Sequence, residues 1–214
     1  MWSTRHSSST LSTWRKRISR CGYPPWNAGR GGPEIRFTRV FTQAVNQAVN
    51  QARSSIMALP KVGNMAPAFS LQDQDGNTVR LSQFKGKQNV VLYFYPKAMT
   101  PGCTVQACGI RDSKKAFAKL DTVVLGVSPD PVARLGKFVE KQGLNFTLLS
   151  DEDHAVAEKY GAWGLKKFMG REFMGVLRST FIIGKDGRLK QVMAQVNTKT
   201  HHDDVIASVR ELGL

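Results

Sequence analysis

The sequence predicts an α/β protein with a mixed central sheet flanked by helices. Three observations carry this. From Met57 onward, short apolar runs alternate with segments of helical periodicity. One run, Thr122 to Val127, is continuously apolar, the pattern of a parallel strand covered on both faces. A late pair of runs flanks Lys185-Asp186-Gly187, whose Asp-Gly signals a hairpin turn.

Taken in order, Ala68 to Gln72 and Thr78 to Leu81 read as short strands around the turn Asp73-Gln74-Asp75-Gly76-Asn77. Asn89 to Tyr95 reads as a central strand, and Cys103 to Leu120 as one helix. After the strand Thr122 to Val127, a helix runs from Pro131 to Gln142, with Asp130 expected as its N-cap and Pro131 in its first turn. Phe146 to Leu149 is a strand, and Ser150-Asp151-Glu152-Asp153 opens a short helix that ends at Tyr160. Trp163, Phe168, Met169, Phe173 and Met174 fall in an apolar loop, read as core packing, an active-site mouth or a docking surface. Ser179 to Gly184 and Arg188 to Gln195 form the hairpin. His202 to Leu212 is a last helix, with Asp203 and Asp204 near its positive end.

A chain of 214 residues allows one domain with a sizeable core, plus extensions. No apolar run approaches the roughly 20 residues that span a bilayer. Three cysteines are too few for a secreted disulfide framework and suit a reducing compartment. The formal net charge of +15 is unevenly spread. Residues 1 to 56 hold nine Lys/Arg and one acid, Glu34, while the remaining 158 hold 22 Lys/Arg and 15 Asp/Glu. Basic and aromatic residues are not interleaved as in single-strand binders, so specific nucleic-acid binding is not expected. The composition of residues 1 to 56 predicts a disordered basic extension. It is read as a transit peptide, a nonspecific basic arm or, preferred here, an over-long start with Met57 as the true one. The domain is then 57 to 214. Cys21 has no partner pattern in this extension.

The most informative stretch is Tyr95-Pro96-Lys97-Ala98-Met99-Thr100-Pro101-Gly102-Cys103-Thr104, which follows the run Val90 to Tyr95. Pro96, Pro101 and Gly102 make a stiff loop between strand and helix. Cys103 falls in the first helical turn, facing unpaired N–H groups and the positive end of the macrodipole. Both favour a thiolate, the nucleophilic form of cysteine, and the loop suggests an exposed thiol. Cys108 follows five residues later, either as a second redox thiol or as a core residue of the helix.

This pattern resembles the peroxiredoxins. Pro96, Thr100 and Cys103 match the signature Pro-x-x-x-Thr-x-x-Cys, and the spacing to Cys108 resembles the peroxiredoxin Q or bacterioferritin-comigratory type. Pro67-Ala68-Phe69-Ser70-Leu71, Leu148-Leu149-Ser150-Asp151 and Arg178-Ser179-Thr180-Phe181 extend the resemblance over roughly Met57 to Leu214. It implies a thioredoxin-like fold and a thiol peroxidase for hydrogen peroxide and organic hydroperoxides, acting in antioxidant defence. Cys103 would attack the peroxide and Pro96 would shield the thiolate. Thr100 would hydrogen-bond the sulfur or the peroxide, although a helix cap also explains it. Arg178 would reach Cys103; read alone, it is equally a strand-end arginine in solvent. Cys108 would resolve the sulfenic acid as an intramolecular disulfide. Gln106 stands where many relatives carry glutamate, and its role stays open.

No metal, haem or flavin is expected. His201 and His202 are adjacent and cannot share one helix face, and Cys103 and Cys108 lack zinc-site spacing. The expected partner is thioredoxin or a similar dithiol reductant, with no membrane partner, a monomeric state and a cytoplasmic location, or an organellar one if the extension is a transit peptide. A disulfide oxidoreductase is disfavoured because the cysteines are not Cys-x-x-Cys. A basic binding protein with idle thiols is the non-enzymatic alternative.

Overall fold

The structure is a computed structural model that describes residues 59–168 and 170–214. The readings of the extension, of Cys21 and of Met57 lie outside the described residues. The described part belongs to one compact unit.

The strands are β1 (Ser70–Asp73), β2 (Thr78–Arg80), β3 (Asn89–Phe94), β4 (Thr122–Ser128), β5 (Thr147–Ser150), β6 (Trp163–Phe168), β7 (Arg171–Val176), β8 (Ser179–Ile183) and β9 (Leu189–Met193). The helices are α1 (Pro101–Asp112), α2 (Lys114–Lys119), α3 (Val132–Gln142), α4 (Ala155–Lys159) and α5 (His201–Glu211), and Leu81–Gln83 is a 3-10 turn. Seven strands form one sheet in the order β2-β1-β5-β4-β3-β8-β9. β3 pairs parallel with β4, and β4 with β5; the other pairs are antiparallel. The mixed sheet with helices is the thioredoxin-like arrangement expected.

β3 is the centre. Every residue from Asn89 to Phe94 is buried, since both faces are covered. Side chains alternate between two cores. Val90, Leu92 and Phe94 join Leu125, Val127, Tyr160 and Phe181 on one face. Val91, Tyr93 and Tyr95 join Ile110, Phe138, Leu148 and Val205 on the other, beneath α1, α3 and α5, and Cys103 belongs to this second core.

Three expectations need correction. The helix from Cys103 to Leu120 breaks at Ser113, whose φ −90° and ψ 4° separate α1 from α2. Asp130 does not cap α3. Pro131 occupies the cap position with no side-chain cap, and the Asp130 carboxylate turns inward instead. The apolar loop is a hairpin, with Leu165 paired to Met174 and Lys166 to Phe173 in a separate two-stranded sheet. Of the residues read there, Trp163 packs against the first core, whereas Phe173 and Met174 are exposed, as is their neighbour Leu165. Among the described residues, no helix is long and apolar enough to cross a membrane.

Candidate active site

β3 ends at Phe94, and Tyr95 still donates its N–H to the Val127 carbonyl at 3.0 Å. The chain then turns through Pro96 to Thr100 into α1. Thr100 holds the N-cap in extended backbone and Pro101 starts the helix, where its missing N–H costs nothing. Cys103 is therefore the third helical residue. No acidic side chain stands in that first turn to oppose a thiolate.

The loop is held from β4 and α3. The Asp130 carboxylate accepts the Ala98 N–H at 2.6 Å and the Ser128 hydroxyl at 3.0 Å. Arg134 Nε lies 3.1 Å from the same carboxylate as an ion pair without hydrogen-bond alignment, and its Nη2 donates to the Ala98 carbonyl at 3.3 Å. This clamp sits beside Met99, a non-glycine residue at φ 65°. Such a conformation costs about 1 kcal/mol and persists where its neighbours are fixed.

Cys103 is only 3% exposed, so the expected exposed thiol is corrected. Its position in the helix turns it inward, toward Tyr93, Tyr95 and Ala98 in the second core. Pro96 is half-buried over the loop. The Thr100 hydroxyl donates to the Lys97 carbonyl at 3.0 Å, which leaves its oxygen lone pairs available. It does not cap the helix.

Arg178 enters just before β8 and reaches over Gly102. Its Nη2 lies 3.3 Å from Cys103 Sγ, and its Nη1 donates to Gln106 Oε1. Gln106 is one turn beyond Cys103 and 1% exposed. Its Nε2 meets His201 Nδ1 at 3.0 Å, and His201 Nε2 meets Thr180 Oγ1 at 2.9 Å. Burial, and next the Arg178 charge, push the His201 imidazole down to about 4, so it is neutral near pH 7. Lys166 stands nearby, half-buried, donating to the Val176 carbonyl at 2.7 Å. Its ammonium is held below the usual lysine range, first by burial and then by Arg178, with Cys103 acting the other way. Tyr93 is pushed up, mainly by burial and then by Tyr95, and stays protonated.

The fold thus brings Cys103 and Arg178 together. It leaves Cys108 apart, half-buried and 3.8 Å from Gln142 Oε1, and both thiols are free. Sequence reasoning left Gln106 open and missed His201. The signal for Gln106 was its place one turn after Cys103; His201, 95 residues further on, gave none.

The AhpC/TSA family profile matches residues 62–192, which include Cys103, Cys108 and Arg178. The chain belongs to the AhpC/TSA family. Peroxiredoxin Bcp of Escherichia coli is 52% identical over 151 residues, covering 71% of this chain and 96% of that one. The crystal structure of peroxidoxin BcpB from Mycobacterium tuberculosis matches with a TM-score of 0.63 and 38% identity, over 71% of this chain and 97% of that one. A Xanthomonas campestris bacterioferritin comigratory protein, whose structures address alkyl peroxide reduction, matches with a TM-score of 0.63 and 32% identity, over 67% of this chain and 90% of that one. Within the AhpC/TSA family this is a peroxiredoxin of the Bcp type: a thiol-dependent peroxidase and an oxidoreductase with an antioxidant role.

Proposed function

We propose that the chain reduces hydrogen peroxide and organic hydroperoxides through Cys103, with Cys108 as the resolving thiol and a thioredoxin-like dithiol protein as the electron donor. The observation that carries this reading is the Arg178 guanidinium 3.3 Å from Cys103 Sγ at the start of α1. A permanent positive charge there favours an anionic sulfur, and the planar fork also serves a peroxide oxygen.

The Cys103 thiolate attacks one peroxide oxygen, and its electron pair forms the S–O bond as the O–O bond breaks. The other oxygen leaves as hydroxide or alkoxide and takes a proton, giving water or an alcohol and Cys103 sulfenic acid. Arg178 stabilises charge on the oxygens as that bond lengthens. The Thr100 lone pairs can accept the proton of the incoming hydroperoxide, and Pro96 keeps bulk water off the sulfur. The Cys108 thiolate then attacks the sulfenic sulfur; the S–S bond forms as the S–O bond breaks, and the oxygen leaves as hydroxide and takes a proton to give water. A dithiol reductant returns two electrons by exchange. Alkyl peroxide reduction, described for the Xanthomonas protein, supports organic hydroperoxides as substrates.

The test uses reduced protein, stopped-flow peroxide consumption and peptide mapping. Cys103→Ser is expected to abolish turnover, because a neutral hydroxyl is a poor nucleophile at pH 7. Cys108→Ser is expected to stop at sulfenic acid and to turn over only with added small thiol. Substantial activity in the first variant, or no Cys103–Cys108 disulfide in oxidised wild type, overturns the respective assignment.

A further inference from the structure

The contacts behind Arg178 leave only one hydrogen pattern. A guanidinium has donors and no acceptor, so the Gln106 atom that faces it is the carbonyl oxygen. The other end of the amide, an NH2, then faces His201 Nδ1 at 3.0 Å. That nitrogen therefore accepts, the ring proton sits on Nε2, and Nε2–H donates to Thr180 Oγ1 at 2.9 Å. Gln106 and His201 are each 1% exposed and Thr180 is 0% exposed, so water cannot replace a missing partner.

We propose that His201 is a positioning residue for peroxide reduction: as an acceptor it locks the Gln106 amide in the one orientation that anchors Arg178 against Cys103. The inference rests on Cys103 being the nucleophile. If the acceptor is lost, a buried amide NH2 is left unpaired. The amide then rotates toward another partner and releases Nη1 of Arg178, and the fork loses the second point that fixes its plane beside the sulfur. The same logic requires an uncharged ring, because an Nδ1–H would oppose the amide NH2. The charged and titratable groups around the ring are Arg178 from before β8, Tyr93 of β3, and Asp204 and His202 of α5. Burial and Arg178 act in the direction the proposal needs, and Asp204 opposes them.

Two substitutions at His201 separate an acceptor from a filler. In His201→Asn the amide oxygen replaces Nδ1, but the side chain is small. In His201→Phe the ring shape stays and the acceptor goes. Reduced proteins are mixed with hydrogen peroxide at pH 7 in a stopped-flow instrument. His201→Phe is expected to react about tenfold or more slowly than wild type, and His201→Asn within about threefold of it. A packing role predicts the reverse order, and that order overturns the proposal. So does a wild-type rate in His201→Phe.

If His201→Phe does not fold, nitrogen NMR decides. Wild-type His201 is expected as the neutral Nε2–H tautomer at pH 7, and an Nδ1–H tautomer overturns the proposal. In Gln106→Glu a carboxylate oxygen faces Nδ1, and His201 is expected to titrate at higher pH than in wild type. An unchanged titration overturns it too. The tautomer is read without turnover. Failure of wild type to consume peroxide through Cys103 would therefore refute the proposed function, separately from the placement of this ring.

Discussion

Arg178 holds two groups at once, Cys103 through Nη2 and Gln106 through Nη1. A lysine keeps the charge but offers one point donor in place of a rigid fork. Arg178→Lys is therefore expected to slow peroxide reduction by about tenfold or more, with the fold intact. Stopped-flow rates and circular dichroism check the two parts, and an unchanged rate would remove Arg178 from the chemistry. Cys103, Cys108, Pro96, Thr100 and Arg178 were legible as candidates because they stand in short local motifs. Asp130 was misread for the same reason. Next to Pro131 it looks like a cap, yet its shortest hydrogen bond comes from Ala98, 32 residues earlier and reachable only across the folded sheet. His201 shows the same limit at 95 residues from Gln106. A contact that exists only because α5 lies beside α1 leaves no mark in local spacing.

At the scale of elements, α1 carries both thiols in one intact helix. Residues five apart in an α-helix have Cα atoms about 8.5 Å apart, from a rise of about 1.5 Å and a turn of about 100° per residue. A disulfide needs Cα atoms within about 7 Å, so the resolution proposed for Cys108 would require α1 to unwind between Cys103 and Cys108. Amide exchange across residues 100 to 112 is expected to be faster in oxidised than in reduced protein; identical exchange would make Cys108 a packing residue. Gly109 lowers helix stability by about 1 kcal/mol relative to alanine, which eases the change. It also answers to α5. A Cβ at Gly109 would stand 2.5 Å from His202 Nδ1 and 3.0 Å from Cε1, so only glycine lets that ring lie against the helix. Unwinding α1 gives up this contact along with the Gln106–His201 bond.

Strand and helix types were legible wherever periodicity was strong. β3, β4, α3 and α5 appear within one or two residues of their expected ends. The β6–β7 hairpin was not legible. Leu165, Phe173 and Met174 are exposed on its strands, whereas an apolar sequence reads as buried. Gly164 and Gly175, paired in the ladder, further weaken a strand signal.

At the scale of the whole molecule, His201 links the site to global stability. The imidazole is pushed down from 6.5 to about 4, chiefly by burial and next by Arg178. In this window the unfolded chain binds a proton that the folded protein refuses, so stability rises with pH. Above about 6.5 both states are neutral at this group and the full stability is present. As pH falls toward about 4, folding must exclude the proton or accept it in a site that opposes it. One pKa unit corresponds to about 1.4 kcal/mol, so the loss attributable to His201 approaches about 3 kcal/mol by pH 4. Asp151 titrates with the opposite sign: burial raises its carboxyl, so its contribution to stability grows as the solution becomes more acid. The expected result is therefore a difference between proteins rather than a raw slope. Chemical denaturation of reduced wild type and His201→Asn between pH 7.5 and pH 4.5, conditions we choose to cover most of the window between the unfolded and folded values, is expected to give a steeper decline for wild type. The two curves should converge toward the acid end, because the variant has no imidazole to protonate and shares every other titrating group. Parallel curves would mean that His201 accepts its proton in the folded state as readily as in the unfolded chain. The buried neutral ring would then not be what ties α1, β8 and α5 together at neutral pH.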